Sequence, residues 1–433
     1  MYREEQLTRL LEGRRILIAG YGREGRSAHA LMEKLLPGHP VTIANGDEEI
    51  AALSAEPFDL IVKSPGVPMR LLAADATAQV TSLTDLFLQV YGDLTVGVTG
   101  TKGKSTTASL IHQLIPGSIL AGNIGIPLFD ILELLDEDSV VVAELSCHQL
   151  EVLHRAPHVA VLLNLYQEHL DHYADYEAYK MAKLQIALCQ QAGDHLFYCT
   201  DNEELVGMVE KLQHSISSCI HSYSAYSAAQ SESVLLDACP LPGLHNRGNA
   251  LVALRVASLV ANGSRLSGQD DTVHYDDARY EEYRHLMSSF HALHHRMEPL
   301  GVHAGLKWFD DSISTIPAAS IAALKALGKV DTLILGGFDR GIDYTPLVDY
   351  LEKHHVDNLV FVGKAGRRML SLFHKPPVSF LVEDDYARIV PWCAQATREG
   401  GIVLLSPAAA SYDAFKNFEQ RGDCFRQQIE KLS

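Results

Sequence analysis

Residues 94–107 contain the residue types of a phosphate-binding loop. An apolar run ending at Thr99 predicts a strand, and the run beginning at Lys104 predicts a helix. Gly100 and Gly103 between them allow a tight turn whose backbone N–H groups, together with the helix N-terminus, favour an anion. The spacing therefore predicts that this loop binds a phosphate group.

Three further side chains in the same loop fit this chemistry. Lys104 supplies a point charge for phosphate, and the hydroxyl of Ser105 or Thr106 can bind Mg²⁺. The match to the common pattern G-x-x-x-x-G-K-[ST] is incomplete, because Val98 stands where its first glycine is expected. The alternative interpretation is a helix cap rich in glycine, serine and threonine.

A second glycine turn, Gly20–Gly25, lies between a predicted strand over Arg15–Ala19 and a predicted helix. Its G-x-G-x-x-G spacing is typical of dinucleotide-binding sites. The next two predicted strands end near Asn45 and at the turn Ser64–Pro68, so three strand ends converge on one crevice. We expect a nucleotide portion of a ligand here, either NAD or a UDP group. The alternative is a small α/β domain that uses glycine only to turn.

Acidic and histidine side chains follow other predicted strands. Glu144 ends a buried strand, where its carboxylate is well placed to bind Mg²⁺ near the loop. His169, Asp171 and His172 could bind zinc, but their spacing is not a standard zinc motif and no cysteine supports it. We therefore prefer His169 as a ligand of a divalent ion bound to phosphate. Three histidines within residues 291–298 lack regular ligand spacing, and this segment is interpreted as a domain hinge.

The strands and helices that position these candidate site residues are predicted to alternate along the whole chain. The 433 residues are enough for two or three domains. We predict an α/β fold with three domains: a Rossmann-like domain over 1–92, a central parallel sheet of the P-loop ATPase type over 93–298, and a second Rossmann-like domain over 299–433. The last domain is expected to contain four parallel strands, and Ser215–Ser233 is expected to be a polar loop.

Composition limits the partners. The net charge of −18 argues against nucleic acid, so an anionic substrate needs local positive sites such as the glycine loop. No apolar run approaches the roughly 20 residues of a membrane span, and the N-terminal residues are polar and do not resemble a signal peptide. Seven scattered cysteines fit reduced thiols. We expect a cytoplasmic protein that is a monomer.

The order of these domains and motifs resembles the Mur ligases, which build the peptide of the cell-wall precursor, and in particular their glutamate-adding (MurD) type. The resemblance covers essentially the whole chain, and its most specific part lies near the C-terminus. The matching segments are Gly100–Thr106, Gly122–Gly125, Glu144–Ser146, His169–Asp171, His245–Ala250, His295–Arg296, Ser406–Ser411 and Phe415–Gly422.

The resemblance implies an ADP-forming amide ligase of peptidoglycan precursor synthesis. ATP would phosphorylate the carboxylate of UDP-N-acetylmuramoyl-L-alanine, and the amine of glutamate would then attack the acyl phosphate. D-glutamate is the family default, and L-glutamate is the alternative. Two Mg²⁺ ions are implied, as is a carbamate that CO₂ forms on Lys183.

The same resemblance implies four groups of site residues. The catalytic residues are Lys104, His169 and Lys183. The ATP and metal site comprises Gly100, Thr101, Lys102, Gly103, Lys104, Ser105, Thr106, Asn249, Arg296 and Asp311, with Ser105, Thr106, Glu144, His169 and Lys183 as metal ligands. The UDP-substrate site comprises Gly22, Arg23, Glu24, Asn45, Ser64, Pro65, Gly66 and Asn123. The glutamate site comprises Thr315, Arg340, Ser411, Tyr412 and Phe418.

Lys102 replaces an asparagine of the family's phosphate loop, and two positions of the glutamate site also depart from the family pattern. Ile313 replaces a lysine that would help to hold glutamate, and Arg340 stands where a lysine is common. Arginine offers a bidentate fork and is not equivalent to lysine. Three other functions remain open: a folylpolyglutamate-type ligase, an NAD-dependent oxidoreductase that uses the turn Gly20–Gly25, and a catalytically inactive nucleotide-binding regulator.

Overall fold

The computed structural model describes residues 2–72, 78–123, 126–168, 172–261, 277–290, 294–339, 341–375 and 377–432. The chain forms two compact units, and each is described by itself. The first comprises Met1–Pro240 and His245–Phe290, and the second comprises Leu241–Leu244 and His291–Ser433. Within the described ranges, no helix is both long and apolar enough to cross a lipid bilayer.

The first unit begins with a four-stranded parallel sheet in the order β2-β1-β3-β4. Its strands read as short apolar runs because helices cover both faces of such a sheet. The elements are α1 (Tyr2–Leu11), β1 (Ile16–Ala19), α2 (Arg23–Leu35), β2 (Val41–Ala44), α3 (Asp47–Ser54), β3 (Leu60–Lys63), β4 (Gln79–Thr81) and α4 (Leu83–Tyr91).

A six-stranded parallel sheet follows in the same unit, in the order β10-β9-β8-β5-β7-β6. Because β5 lies between β7 and β8, the segments that follow these three strands meet at one edge. The elements are β5 (Thr95–Thr99), α5 (Lys104–Leu114), β6 (Ile119–Gly122), β7 (Val141–Glu144), α6 (Cys147–Leu150), β8 (Val159–Leu162), α7 (Tyr176–Leu188), β9 (His195–Cys199), α8 (Glu203–Leu212), β10 (Cys219–Tyr223), α9 (Gln230–Ala238), α10 (Leu244–Ala261) and α11 (Asp277–Ser288).

The second unit contains a six-stranded sheet in the order β11-β12-β16-β13-β14-β15, in which β11 is antiparallel and the other strands are parallel. The elements are β11 (Glu298–His303), β12 (Leu306–Asp310), α12 (Pro317–Leu327), β13 (Thr332–Gly336), α13 (Thr345–Lys353), β14 (Asn358–Val362), α14 (Gly363–Leu372), β15 (Phe380–Val382), α15 (Tyr386–Ala396), β16 (Ile402–Leu405) and α16 (Phe418–Glu430).

The α/β fold with parallel sheets is confirmed, and two local predictions are wrong. The last segment contains six strands rather than four, because the edge strand β11 has no continuous apolar run and the edge strand β15 is very short. β11 contains Pro299 and Gly301 and has an irregular register there, and β15 has only three residues. The predicted loop Ser215–Ser233 contains β10, an edge strand whose residues are mostly exposed.

Apolar packing explains the division into units. One continuous core joins both sheets of the first unit, with Ile18 and Val62 from the first sheet and Val141 and Leu162 from the central sheet. In the second unit, alternate residues of each strand point to opposite faces of the sheet and enter two separate cores. Two sheets that share a core have little freedom to separate.

Candidate active site

The predicted phosphate loop is a strand–turn–helix at the carboxyl end of β5. Gly103 caps α5 in the left-handed conformation with φ 88°, and Gly100 also has a positive φ of 153°. A Cβ atom on Gly103 would lie 2.9 Å from Oδ1 of Asn249, and one on Gly100 would lie 2.8 Å from Cβ of Leu163. Both positions therefore require glycine, and Asn249, a predicted ATP contact, lies beside Gly103.

Two residues that the sequence analysis missed hold the loop in shape. The Asn164 side-chain amide forms two hydrogen bonds with the backbone of Lys102. Its Oδ1 accepts from Lys102 N at 2.9 Å, and its Nδ2 donates to Lys102 O at 3.0 Å. The hydroxyls of Thr101 and Tyr179 form a hydrogen bond of 2.7 Å. The sequence did carry a signal for each, because Asn164 follows a buried strand and Tyr179 lies one helical turn before Lys183.

Two lysine ammonium groups converge on this loop. Lys104 Nζ donates to Gly100 O and to Thr101 O, each at 3.0 Å, and Lys183 Nζ donates to Gly100 O at 2.8 Å. Lys183 is only 2% exposed. Burial, and next the positive charge of Lys104, lower the pKa of Lys183 to about 7. Lys183 thus has a substantial neutral amine fraction at neutral pH.

A buried carboxylate lies at the end of the neighbouring strand β7. Glu144 is 2% exposed, and its Oε1 accepts from Asn123 Nδ2 at 2.7 Å. Its Oε2 is buried and has no hydrogen-bond partner among the described residues. A buried carboxylate oxygen without a partner is costly, and a bound cation would remove that cost. Asn123, predicted as a UDP contact, therefore also orients the predicted metal ligand.

The remaining predicted metal ligands divide into two groups. Ser105 and Thr106 lie in the first turn of α5 and are buried. His169 lies outside the described residues. Nearby Glu168 adds a second carboxyl group: burial raises its pKa, and the charges of Lys104 and Lys102 partly offset that effect.

The predicted crevice of the first sheet lies where the parallel strands β1, β2 and β3 end side by side. Gly25 must be glycine, since a Cβ there would lie 2.1 Å from Gly20 O. Ser64 Oγ donates to Gly20 O at 2.6 Å, and Asn45 Oδ1 accepts from Tyr21 N at 3.3 Å. Of the other residues predicted for this site, Gly22, Arg23 and Gly66 are exposed and Pro65 is half-buried.

One carboxylate oxygen of Glu24, a predicted UDP contact, already accepts a hydrogen bond within the protein. Its Oε1 accepts from Gln149 Nε2 at 2.7 Å, whereas its Oε2 is buried with no hydrogen-bond partner in the described part of the chain. Burial raises the pKa of Glu24 to about 7, although Gln149 and nearby positive charges oppose the shift.

In the second unit, Asp311 is the predicted ATP contact with the clearest surroundings. It is 2% exposed and accepts from Ser406 Oγ at 2.7 Å and from Met297 N at 3.2 Å. Burial raises its pKa to about 6, and hydrogen bonds and the charge of Arg296 partly counter that shift. Arg296 and Asp311, both predicted ATP contacts, are therefore electrostatic neighbours.

The histidine-rich segment forms ion pairs within the second unit. His295, Glu298 and Asp310 have potential ligand atoms within 4.8 Å of one another. His295 Nδ1 lies 2.7 Å from Asp310 Oδ2, and Arg426 Nη2 lies 2.6 Å from Glu298 Oε1. These ion pairs account for the cluster without a metal.

A buried arginine that the sequence analysis did not single out contacts the segment before Ser411, one of the predicted glutamate residues. Arg421 donates to Ser312 O at 2.7 Å, to Ser312 Oγ at 2.9 Å, and to Ala409 O and Ala410 O at 3.0 and 3.2 Å. It thereby holds the segment that leads into Ser411.

The other predicted glutamate residues differ in exposure. Ser411 is buried, Tyr412 is exposed, and Thr315 and Phe418 are half-buried. Arg340 lies outside the described residues.

Comparisons with known proteins agree with this arrangement. The Mur ligase middle domain matches residues 98–257. A UDP-N-acetylmuramoylalanine–D-glutamate ligase of Symbiobacterium thermophilum is 32% identical over 403 residues, which cover 87% of this chain and 84% of the relative. A UDP-N-acetylmuramoyl-L-alanine–L-glutamate ligase of Salinispora tropica is 31% identical over 454 residues, covering 97% and 98%.

Solved structures share the fold. The MurF ligase of Thermotoga maritima in complex with ADP has a TM-score of 0.58 at 16% identity, over 98% of this chain and 97% of that one. A folylpolyglutamate synthase of Mycobacterium tuberculosis, complexed with ADP and AMPPCP, has a TM-score of 0.57 at 12% identity, over 79% and 94%.

The fold, the phosphate loop and these relatives define an ATP-dependent, ADP-forming ligase. The chain belongs to the Mur ligase family.

Proposed function

We propose that this chain joins glutamate to UDP-N-acetylmuramoyl-L-alanine in peptidoglycan precursor synthesis, using ATP and an acyl-phosphate intermediate. The observation that carries the proposal is the group formed by the phosphate loop, Glu144 and buried Lys183 in one unit. Relatives named for this reaction cover nearly the whole chain. The crevice of the first sheet is the proposed site of the UDP group.

The chemistry begins with a carboxylate, which is a poor electrophile. The substrate carboxylate oxygen attacks the γ-phosphorus of ATP, the bond to the β-phosphate oxygen breaks, and ADP leaves. The glutamate amine then attacks the acyl carbon, phosphate leaves, and the amine loses a proton. Lys104 and the N–H groups of the loop stabilise negative charge on the transferred phosphoryl group.

The residues fit Mg²⁺ because the Oε2 atom of Glu144 is buried without a partner in the described ranges. Ser105 or Thr106, Glu144, His169 and Lys183 would hold two ions, which when bound would neutralise phosphate charge. We propose that the neutral amine of Lys183 adds to CO₂, forming an N–C bond and releasing one proton. The resulting carbamate is an anion suited to a metal site.

D-glutamate is the first candidate for the amino acid, and L-glutamate is the second. Ile313 favours the second candidate, because the family lysine at this position is absent and the Ile313 side chain is half-buried. Its backbone N–H donates to His295 O at 3.1 Å. The L-glutamate ligase of Salinispora tropica is about as similar as the D-glutamate ligases.

The test is phosphate release from ATP and Mg²⁺ with UDP-N-acetylmuramoyl-L-alanine and each glutamate enantiomer in parallel. We expect release only when all components are present, together with a product whose mass has increased by one glutamyl residue. Phosphate release when UDP-N-acetylmuramoyl-L-alanine or glutamate is omitted would indicate ATP hydrolysis that is not coupled to amide formation. Absence of product with both enantiomers would overturn the proposal.

A further inference from the structure

Lys63 is a buried cation that the proposed reaction does not use. It ends β3 and is 1% exposed. Its Nζ lies 2.9 Å from Glu151 Oε2 and donates to Val67 O at 2.9 Å. An ammonium group is costly to bury unless it is paired, so the ion pair and the hydrogen bond are what allow Lys63 to lie in the interior.

The contact with Val67 holds one end of a turn that is proposed to bind the UDP group. Val67 N donates to Ser64 O at 3.0 Å, which closes the turn. Ser64 Oγ fixes the other end to Gly20 O at 2.6 Å. Lys63 itself is too deeply buried to reach a ligand, so it can act on a ligand only through this turn.

The contact with Glu151 anchors the turn to the central sheet. Glu151 follows α6, and its Oε2 also lies 3.5 Å from His172 Nε2. Burial favours a higher pKa for Glu151, but His172 and Lys63 outweigh it and hold the pKa below its usual value. Glu151 is therefore an anion that can pair with Lys63.

The same short segment reaches the other turn of the crevice. Gln149, the third residue of α6, donates to Glu24 in the first turn of α2. Gln149 thus contacts the turn Gly20–Gly25, whereas Glu151 contacts Lys63, which in turn holds the turn Ser64–Pro68. The segment begins just after Glu144, the proposed metal ligand.

We propose that Lys63 is a positioning residue for the UDP part of the substrate, acting through the Val67 carbonyl and anchored by Glu151. The inference rests on the proposed function. In a purely structural role, both contacts of Lys63 would affect only stability. In the proposed role, the contact with Val67 O affects substrate affinity, and the contact with Glu151 holds Lys63 in place.

Two variants separate these roles. Lys63→Met removes both contacts and leaves Glu151 buried without its cation, which should lower Tm. Adding Glu151→Met replaces the ion pair by apolar side chains and should restore part of Tm, but it leaves the Val67 carbonyl unheld. Lys34→Met is the matched control. Lys34 lies on helix α2, and its Nζ lies 2.9 Å from Oε1 of exposed Glu133, so this lysine also forms an ion pair within the first unit.

The experiment measures kcat, the KM of each substrate, Tm, and direct binding of UDP-N-acetylmuramoyl-L-alanine by calorimetry without ATP. We expect both Lys63 variants to raise the KM and Kd of this substrate about tenfold or more, with the KM of ATP and of glutamate within about twofold. Lys34→Met should change none of these values.

The outcomes are distinct. If KM returns to the wild-type value together with Tm in the double variant, Lys63 is only structural and the inference is overturned. An unchanged KM in Lys63→Met, or an equal rise for all three substrates, also overturns it. Failure of the wild type to use the UDP substrate overturns the proposed function instead.

Discussion

Lys183 Nζ lies 2.8 Å from Gly100 O, the carbonyl oxygen that also accepts a hydrogen bond from Lys104. Two ammonium groups thus share one acceptor at the phosphate loop, and one of them is buried. Like charges in this arrangement favour the neutral form of the buried amine. Conversion of that amine into a carbamate would replace repulsion by attraction to Lys104, which is why Lys183 is central to the predictions below.

Lys183→Ala should lower kcat by roughly 100-fold or more, because it removes the proposed anionic metal ligand. Added formate or acetate should restore part of the activity by supplying a carboxylate in the vacated space. Lys180→Ala is the control, since Lys180 lies on the same helix and pairs with Glu177 and Glu204. Full activity of Lys183→Ala without an added carboxylate would refute the carbamate.

Glu144→Gln should raise the Mg²⁺ concentration needed for half-maximal rate and lower kcat by about 100-fold. The same variant should melt higher than wild type without Mg²⁺, because it removes a buried charge whose Oε2 has no partner among the described residues. Mg²⁺ titration of activity and thermal unfolding check the two parts. A variant that is less stable without Mg²⁺ and has normal Mg²⁺ dependence would contradict the metal assignment.

Glu24 predicts a pH dependence of stability. Its pKa is raised from 4.5 to about 7, so between these values the folded chain keeps a proton that the unfolded chain loses. This contribution to the free energy of unfolding is complete below pH 4.5 and is lost as pH rises through 7. Glu24→Gln should match wild type near the lower pH and be more stable above the higher one, by at most about 3 kcal/mol. Denaturant unfolding at several pH values measures this difference, and parallel curves for the two proteins would disprove it.

Arg421→Met should raise the KM of glutamate about tenfold and lower Tm, because Ser312, Ala409 and Ala410 lose their shared donor. Arg421→Lys should behave similarly, since an ammonium cannot reproduce the guanidinium fork. Steady-state kinetics with each substrate varied in turn provides the measurement. A fall in Tm with an unchanged KM of glutamate would limit Arg421 to a structural role.

Ile313→Lys should change the ratio of kcat/KM for D- over L-glutamate about tenfold or more, because it adds a cation beside the proposed glutamate site. The KM of ATP should stay within about twofold. Rates with both enantiomers, for wild type and variant side by side, decide the point. An unchanged ratio would mean that Ile313 does not set chirality.

Local patterns were sufficient for much of this protein. Apolar runs followed by glycine turns predicted the strands β1, β5 and β13 and the helices that follow β1 and β5. Such patterns can be recognised in the sequence alone, because the tight turn after the strand requires glycine. The same patterns missed β10, β11 and β15. Edge strands need not be apolar, since one side faces solvent, so no continuous apolar run marks β10 or β11. The apolar run of β15 is only three residues long, which is too short to stand out.

The sequence by itself determined the α/β alternation, the phosphate loop, the acid at the end of β7 and the family. Only the tertiary structure decided that Lys63 pairs with Glu151, that Gln149 binds Glu24, and that Arg421 reaches Ser312. These partners are separated by 88, 125 and 109 positions in the sequence. Charge pairing and buried hydrogen bonds depend on distance in space, which no spacing along the chain records.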